Sequence, residues 1–143
     1  MAGYVTKHVA RVYDGVHTAG EALTNGVFAE ITATGVKKIT ATKDMILRVE
    51  EKGYLWGLPC VYLTVVNPGT TEIFFVENEW EIDDTEDYDE AAYAVATDDY
   101  VKMKRLLAGE QVVMSVASAL YATLTVDGPV NPADGGTIAI DAE

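Results

Sequence analysis

Lysine and arginine are missing from the whole stretch between Gly53 and Val101, although twelve of the 23 carboxylates fall inside it. The other eleven acids are matched by ten basic residues elsewhere, so nearly all of the net charge of −13 belongs to one segment. Like charge at this density must meet water, a cation or a basic partner, because burying unpaired carboxylates is prohibitively costly. The same deficit argues against nucleic-acid binding. Cysteine is almost absent. Cys60 stands alone, which excludes an intramolecular disulfide and a cysteine-only metal site, and its neighbours Leu58, Val61 and Tyr62 suggest a buried thiol over a reactive one. Synthesis in a reducing cytoplasm is therefore expected, with stability supplied by packing. No apolar run approaches the roughly 20 residues of a membrane span. Met1 to His8 hold no apolar core of the signal-peptide kind, so export by that route is not expected.

The residues of catalysis are scarce as well. Ser115 and Ser118 are the only serines, and neither sits in a Gly-x-Ser-x-Gly turn. His8 and His17 lie nine apart, without the close spacing of a metal pair. Gly135-Gly136 runs into Thr137-Ile138, a strand start, with no helix to cradle a phosphate. The sequence therefore predicts no enzyme, no cofactor and no metal.

What is present reads as a folded β protein. A chain of 143 residues fits one domain that buries about two thirds of its unfolded surface. Its hydrophobic content of 49% with 23% charged residues is that of an ordinary globule. Val27, Ala29 and Ile31 interleave with Phe28, Glu30 and Thr32, a period of two with both faces partly apolar. Further candidate strands are Val36–Thr42, Met45–Glu51, Cys60–Val66, Glu72–Val76, Tyr100–Leu106, Gln111–Ala117, Leu120–Val126 and Thr137–Ile140. Thr24-Asn25-Gly26, Thr34-Gly35, Asn67-Pro68-Gly69, Asp127-Gly128-Pro129 and Ala133-Asp134-Gly135-Gly136 supply turns. About nine short strands at this spacing predict a compact β-barrel or sandwich. Helix is expected mainly at Tyr88–Thr97, capped by Asp87; Leu107–Leu120 could also be helical, but Val112, Val113 and Val116 favour strand.

Residues 1–18 differ from the rest. Tyr4, Val5, Val9 and Tyr13 follow no sustained period and sit among Lys7, His8, Arg11 and His17. They read either as an extended arm, packed along the domain or reaching a neighbour, or as an ordinary first strand with a frayed end. Residues 19–143 form the β domain, with an acidic segment at 77–99. A Gly-Glu step precedes a strand twice, at Gly20-Glu21 and Gly109-Glu110.

Two constellations remain for binding. Glu79, Glu81, Asp83, Asp84, Glu86, Asp87, Asp89 and Glu90 form an acidic surface that suits a solvated loop, a docking face for a basic partner, or a hard cation. The spacing fails the EF-hand pattern. Tyr54, Trp56 and Tyr62 flank Gly53, Gly57 and Pro59, and Trp80 stands within the acidic run. Tyr54, Trp56 and Trp80 form either an aromatic platform for a glycan or the rim of an ordinary β core.

The second half carries a distinctive rhythm. Tyr100 to Ser115 contains Leu107-Ala108-Gly109-Glu110 before a strand, and Leu124-Thr125-Val126-Asp127-Gly128 continues through Pro132 to Gly136; Gly20 to Phe28 echoes it. This pattern resembles the small β-rich head decoration (capsid cement or auxiliary) proteins of tailed bacteriophages, over about 60 residues of turn and strand chemistry. The resemblance implies a non-enzymatic structural protein on the outside of the capsid, localised to the virion. Its partner would be the major capsid protein, with itself as a homo-oligomer a further partner, and neither nucleic acid nor membrane. It implies that Tyr4, Val5, Val9 and Tyr13 are the arm contacts. The alternatives are a β-sandwich glycan- or surface-binding module and another phage structural component, a connector or tail tube.

Overall fold

The computed structural model describes residues 12–14, 17–55, 57–70, 72–77 and 94–141. Tyr4, Val5, Val9, Trp56, Trp80, the eight acidic-surface residues from Glu79 to Glu90 and the first six residues of the Tyr88–Thr97 helix candidate lie outside them.

Twelve strands and one helix make up the described chain: β1 (Val12–Asp14), β2 (Leu23–Thr24), β3 (Phe28–Thr32), β4 (Gly35–Lys38), β5 (Ile46–Leu55), β6 (Leu58–Asn67), β7 (Phe74–Val76), β8 (Ala94–Val95), β9 (Met103–Arg105), β10 (Gln111–Ser115), α1 (Ser118–Thr123), β11 (Pro129–Ala133) and β12 (Thr137–Ile140). Two five-stranded antiparallel sheets, ordered β1-β9-β7-β3-β4 and β10-β6-β5-β11-β12, are accompanied by a separate two-stranded β2-β8 pair. The fold is mainly β and sandwich-like. Of the two expected forms the sandwich is the one that fits; a closed barrel is not confirmed, since neither five-stranded order closes on itself among the described residues.

Alternation explains the layers. In β3, Phe28 belongs to the main core with Leu47, Val49, Leu63, Met114 and Ile138 of the second sheet, whereas Ala29 faces the other way. Phe75 joins Phe28 edge to face, with ring centroids 5.2 Å apart, and neighbouring Phe74 and Val76 belong to a second core. Leu23 of β2 and Val95 of β8 cover that second core. The first sheet is thus apolar on both faces because it is buried on both, as the double-sided pattern around Val27–Thr32 requires. The sheets approach closely at Gly136, whose carbonyl accepts the Phe28 N–H at 2.8 Å. A Cβ there would sit 2.8 Å from the Phe28 carbonyl oxygen, and the residue's φ of +78° also favours glycine.

Three assignments are corrected. Leu120–Val126 is not a strand: Ser118–Thr123 is helical, because Leu120, Tyr121 and Leu124 lie on one helical face toward the main core. Their spacing suits a helical stripe as well as alternation, and tertiary contact selects the former. Ala94 and Val95 of the Tyr88–Thr97 candidate pair with Thr24 and Leu23 as β8, and a turn follows at Thr97-Asp98. Pro129 and Ala133, expected to end and begin turns, are instead the first and last residues of β11, a strand absent from the expectation. Pro129 opens the strand, and β5 pairs only with Pro129 and Val130, so no ladder bond from β5 needs the N–H that Pro132 lacks.

The repeated Gly-Glu step has a structural use. Glu21 accepts the Lys38 N–H at 2.8 Å, and Glu110 accepts the Leu107 N–H at 2.5 Å. Each carboxylate ties down the backbone of a strand or turn beside its own, a local solution that requires no common ancestry of the halves.

Candidate functional site

The longest strands build the only part of the sequence-derived aromatic platform that is described. β5 and β6 are ten residues each and meet in a tight hairpin at Gly57, whose φ of +80° matches the left-handed geometry of such turns. Irregular pairing between Val49 and Glu51 shifts the register by one residue. Before it, Leu47 and Val49 face the main core; after it, Lys52 pairs with Val61 and Tyr54 with Pro59, so Lys52 and Tyr54 continue the core face. The main core ends there and α1 takes over. Tyr121 lies against Tyr54 with centroids 5.2 Å apart and planes tilted by 50°. The Lys52 ammonium sits 4.4 Å from the Tyr121 ring centroid and donates to the Leu124 carbonyl at 2.7 Å, at the C-terminal end of α1.

Tyr54 is 64% exposed, so it is a surface ring and not the rim of a closed core. Tyr62, half-buried on the opposite face of the hairpin, packs instead with Cys60, Val113, Leu55 and Leu58. The structure therefore separates Tyr62 from Tyr54 and brings Tyr121 and Lys52 to Tyr54. Sequence reasoning missed both, because Tyr121 is distant in the chain, a helix was not expected there, and Lys52 is drawn in by that helix.

Cys60 is buried, and burial raises its thiol pKa, partly opposed by a hydrogen bond with the Leu55 backbone. It should therefore resist alkylation at neutral pH in the native state and react fully after denaturation; rapid native labelling followed by mass spectrometry would contradict this burial.

At the root of the acidic segment, Glu77 forms an ion pair of 2.6 Å with Lys104, whose side chain is fully buried. The Glu77 N–H donates to the Lys102 carbonyl at 2.9 Å, so residue 77 is held by its side chain to β9 and by its backbone to the residue before that strand. Of the arm residues, Tyr13 lies in β1 and pairs with Lys104 across the sheet edge. Among the described residues no group of three His, Cys, Asp or Glu could hold a metal, and no helix is long and apolar enough to cross a membrane. No family model, curated protein or solved structure matches the chain.

Proposed function

We propose that the chain is a non-enzymatic structural protein that binds the outside of a tailed-bacteriophage capsid and stabilises or decorates it. The observation that carries this reading is the placement of the arm. β1 is the outermost strand of the first sheet, joined to β9 at only three residue pairs, Val12–Arg105, Tyr13–Lys104 and Asp14–Met103. A strand held this briefly at a sheet edge can be exchanged for a neighbour's at small cost, and repetition over a lattice multiplies weak contacts into avidity. The sandwich behind it is buried on both sides of one sheet, which gives the rigid body such a role needs. A net charge of −13 keeps copies apart before assembly.

Electron microscopy of heads from the encoding phage, with and without the protein, tests the reading. Regular added density at lattice positions is expected, with occupancy reduced by deletion of residues 1–18. Heads that carry no such density, with the protein found free or on tails, would refute it. The exposed ring of Tyr54 favours one second reading, a glycan-binding module, for which sugars would perturb the environment of Tyr54 and Tyr121.

A further inference from the structure

Among the described residues, the outer half of β5 is an open sheet edge. β11 pairs with β5 only at Leu47 and Arg48, and Val49 is the last residue bonded on that side, donating to Gly128 and accepting from Asp127. From Glu50 to Leu55 the only neighbouring strand among the described residues is β6. The direction of the free groups follows from the ladder. The Pro59 carbonyl accepts the Val116 N–H and so is turned toward β10, which makes Tyr54–Pro59 a pair that exchanges no hydrogen bonds. Lys52–Val61, two residues away, is another of the same kind. The N–H and C=O groups of Lys52 and Tyr54 therefore point out of the sheet, and none has a hydrogen-bond partner among the described residues. Their separation, about 6.6 Å, is the alternate-residue repeat of an extended chain.

We propose that this edge receives, as an added strand, an extended segment of a neighbouring protein whose side chains alternate between apolar and cationic. Natural edges are commonly blunted by lysine, proline or a bulge. Here the register shift lies behind the open stretch, and the Lys52 ammonium is drawn inward to Leu124 and the Tyr121 ring. The two faces differ in chemistry. On the Tyr54 face an incoming apolar side chain meets Tyr54 and Tyr121; on the other, exposed Glu51 awaits a cation, and exposed Asp127 flanks the root. Glu50 is already engaged by Arg48 at 2.9 Å. A position at Gly53, where a side chain would find nothing within 4 Å, leaves room beside Glu51. The charge of −13 favours a basic occupant over a second copy of this chain, which would oppose −13 with −13. The inference rests on the capsid reading only for the source of that segment, a lattice subunit.

The test uses the full chain and a capped peptide of about eight residues alternating Val and Lys. Amide hydrogen exchange at Lys52 and Tyr54 should slow about tenfold with peptide at ten times its Kd, and not with a Val/Glu peptide. N-methylation of the peptide at alternate residues, and separately Tyr54→Pro, should abolish the effect. Proline is compatible with this position because its N–H serves no ladder bond, and the methylated peptide decides the matter even if that variant fails to fold. Unchanged exchange at both amides overturns the proposal, as does equal protection by the Val/Glu peptide. Protection that rises with protein concentration alone would make a second copy the occupant and overturn it too. Peptide binding by a protein that never appears on heads refutes the capsid reading alone; decoration of heads by protein whose Lys52 and Tyr54 amides ignore the peptide refutes the strand docking alone.

Discussion

Lys104→Ala is expected to destabilise the fold by about 3–5 kcal/mol, because it strands the Glu77 carboxylate beside the sheet without its cation. Lys104 is fully buried between β1 and β7, opposite Tyr13 and Phe75, and its ammonium lies 2.6 Å from the Glu77 carboxylate. A small domain has only about 5–15 kcal/mol in total, so this one change would remove a large share. The double variant Lys104→Met with Glu77→Leu should recover most of the loss, since an apolar pair of similar volume avoids desolvating two charges. Urea titration of all three proteins measures this, provided the dependence of stability on urea stays constant across them. A single variant within about 0.5 kcal/mol of the parent would show that Glu77 rehydrates freely and that the pair does not anchor the acidic segment.

Phe75→Ala should cost a similar amount, about 3–5 kcal/mol, by opening a cavity where the two sheets meet. Phe75 is completely buried and meets Phe28 at 5.2 Å with an interplanar angle of 63°. Phe74, its neighbour, points into the smaller second core and is 6% exposed, so Phe74→Ala should cost less. The order of the two midpoints in denaturant is the decisive result. If Phe74→Ala proved the more damaging, the second core under β2 and β8 would be the more tightly packed of the two, contrary to the layer arrangement.

The strands legible in the sequence were those with a turn signal at one end or both and a pattern that suits a sheet. Thr137–Ile140 has the predicted bounds, and Phe28–Thr32 and Gln111–Ser115 lie within their predicted segments. The double-sided pattern at Val27–Thr32 is accounted for by a sheet with a core on each face. Leu120–Val126 misled because Leu120 and Leu124 fit a strand face and a helix face equally, and contact with the main core decides between them. Prolines hid β11, since Pro129 and Pro132 are harmless only where no ladder bond needs their N–H, a fact of pairing and not of composition.

The candidate surface divides the same way. Its charge asymmetry, the isolation of Cys60 and the aromatic content near Tyr54 follow from residue order alone, because they depend on identity and near-neighbour spacing. The meeting of Lys52, Tyr54 and Tyr121, the burial of Lys104 against Glu77, and the open edge beside Lys52 and Tyr54 arise only when distant segments pack. A one-residue shift between Val49 and Glu51 determines which side chains reach α1, and the early end of β11 determines which backbone groups are left unpaired. Both are set by how strands align across the sheet, where the free energy belongs to pairs of segments and not to either segment alone.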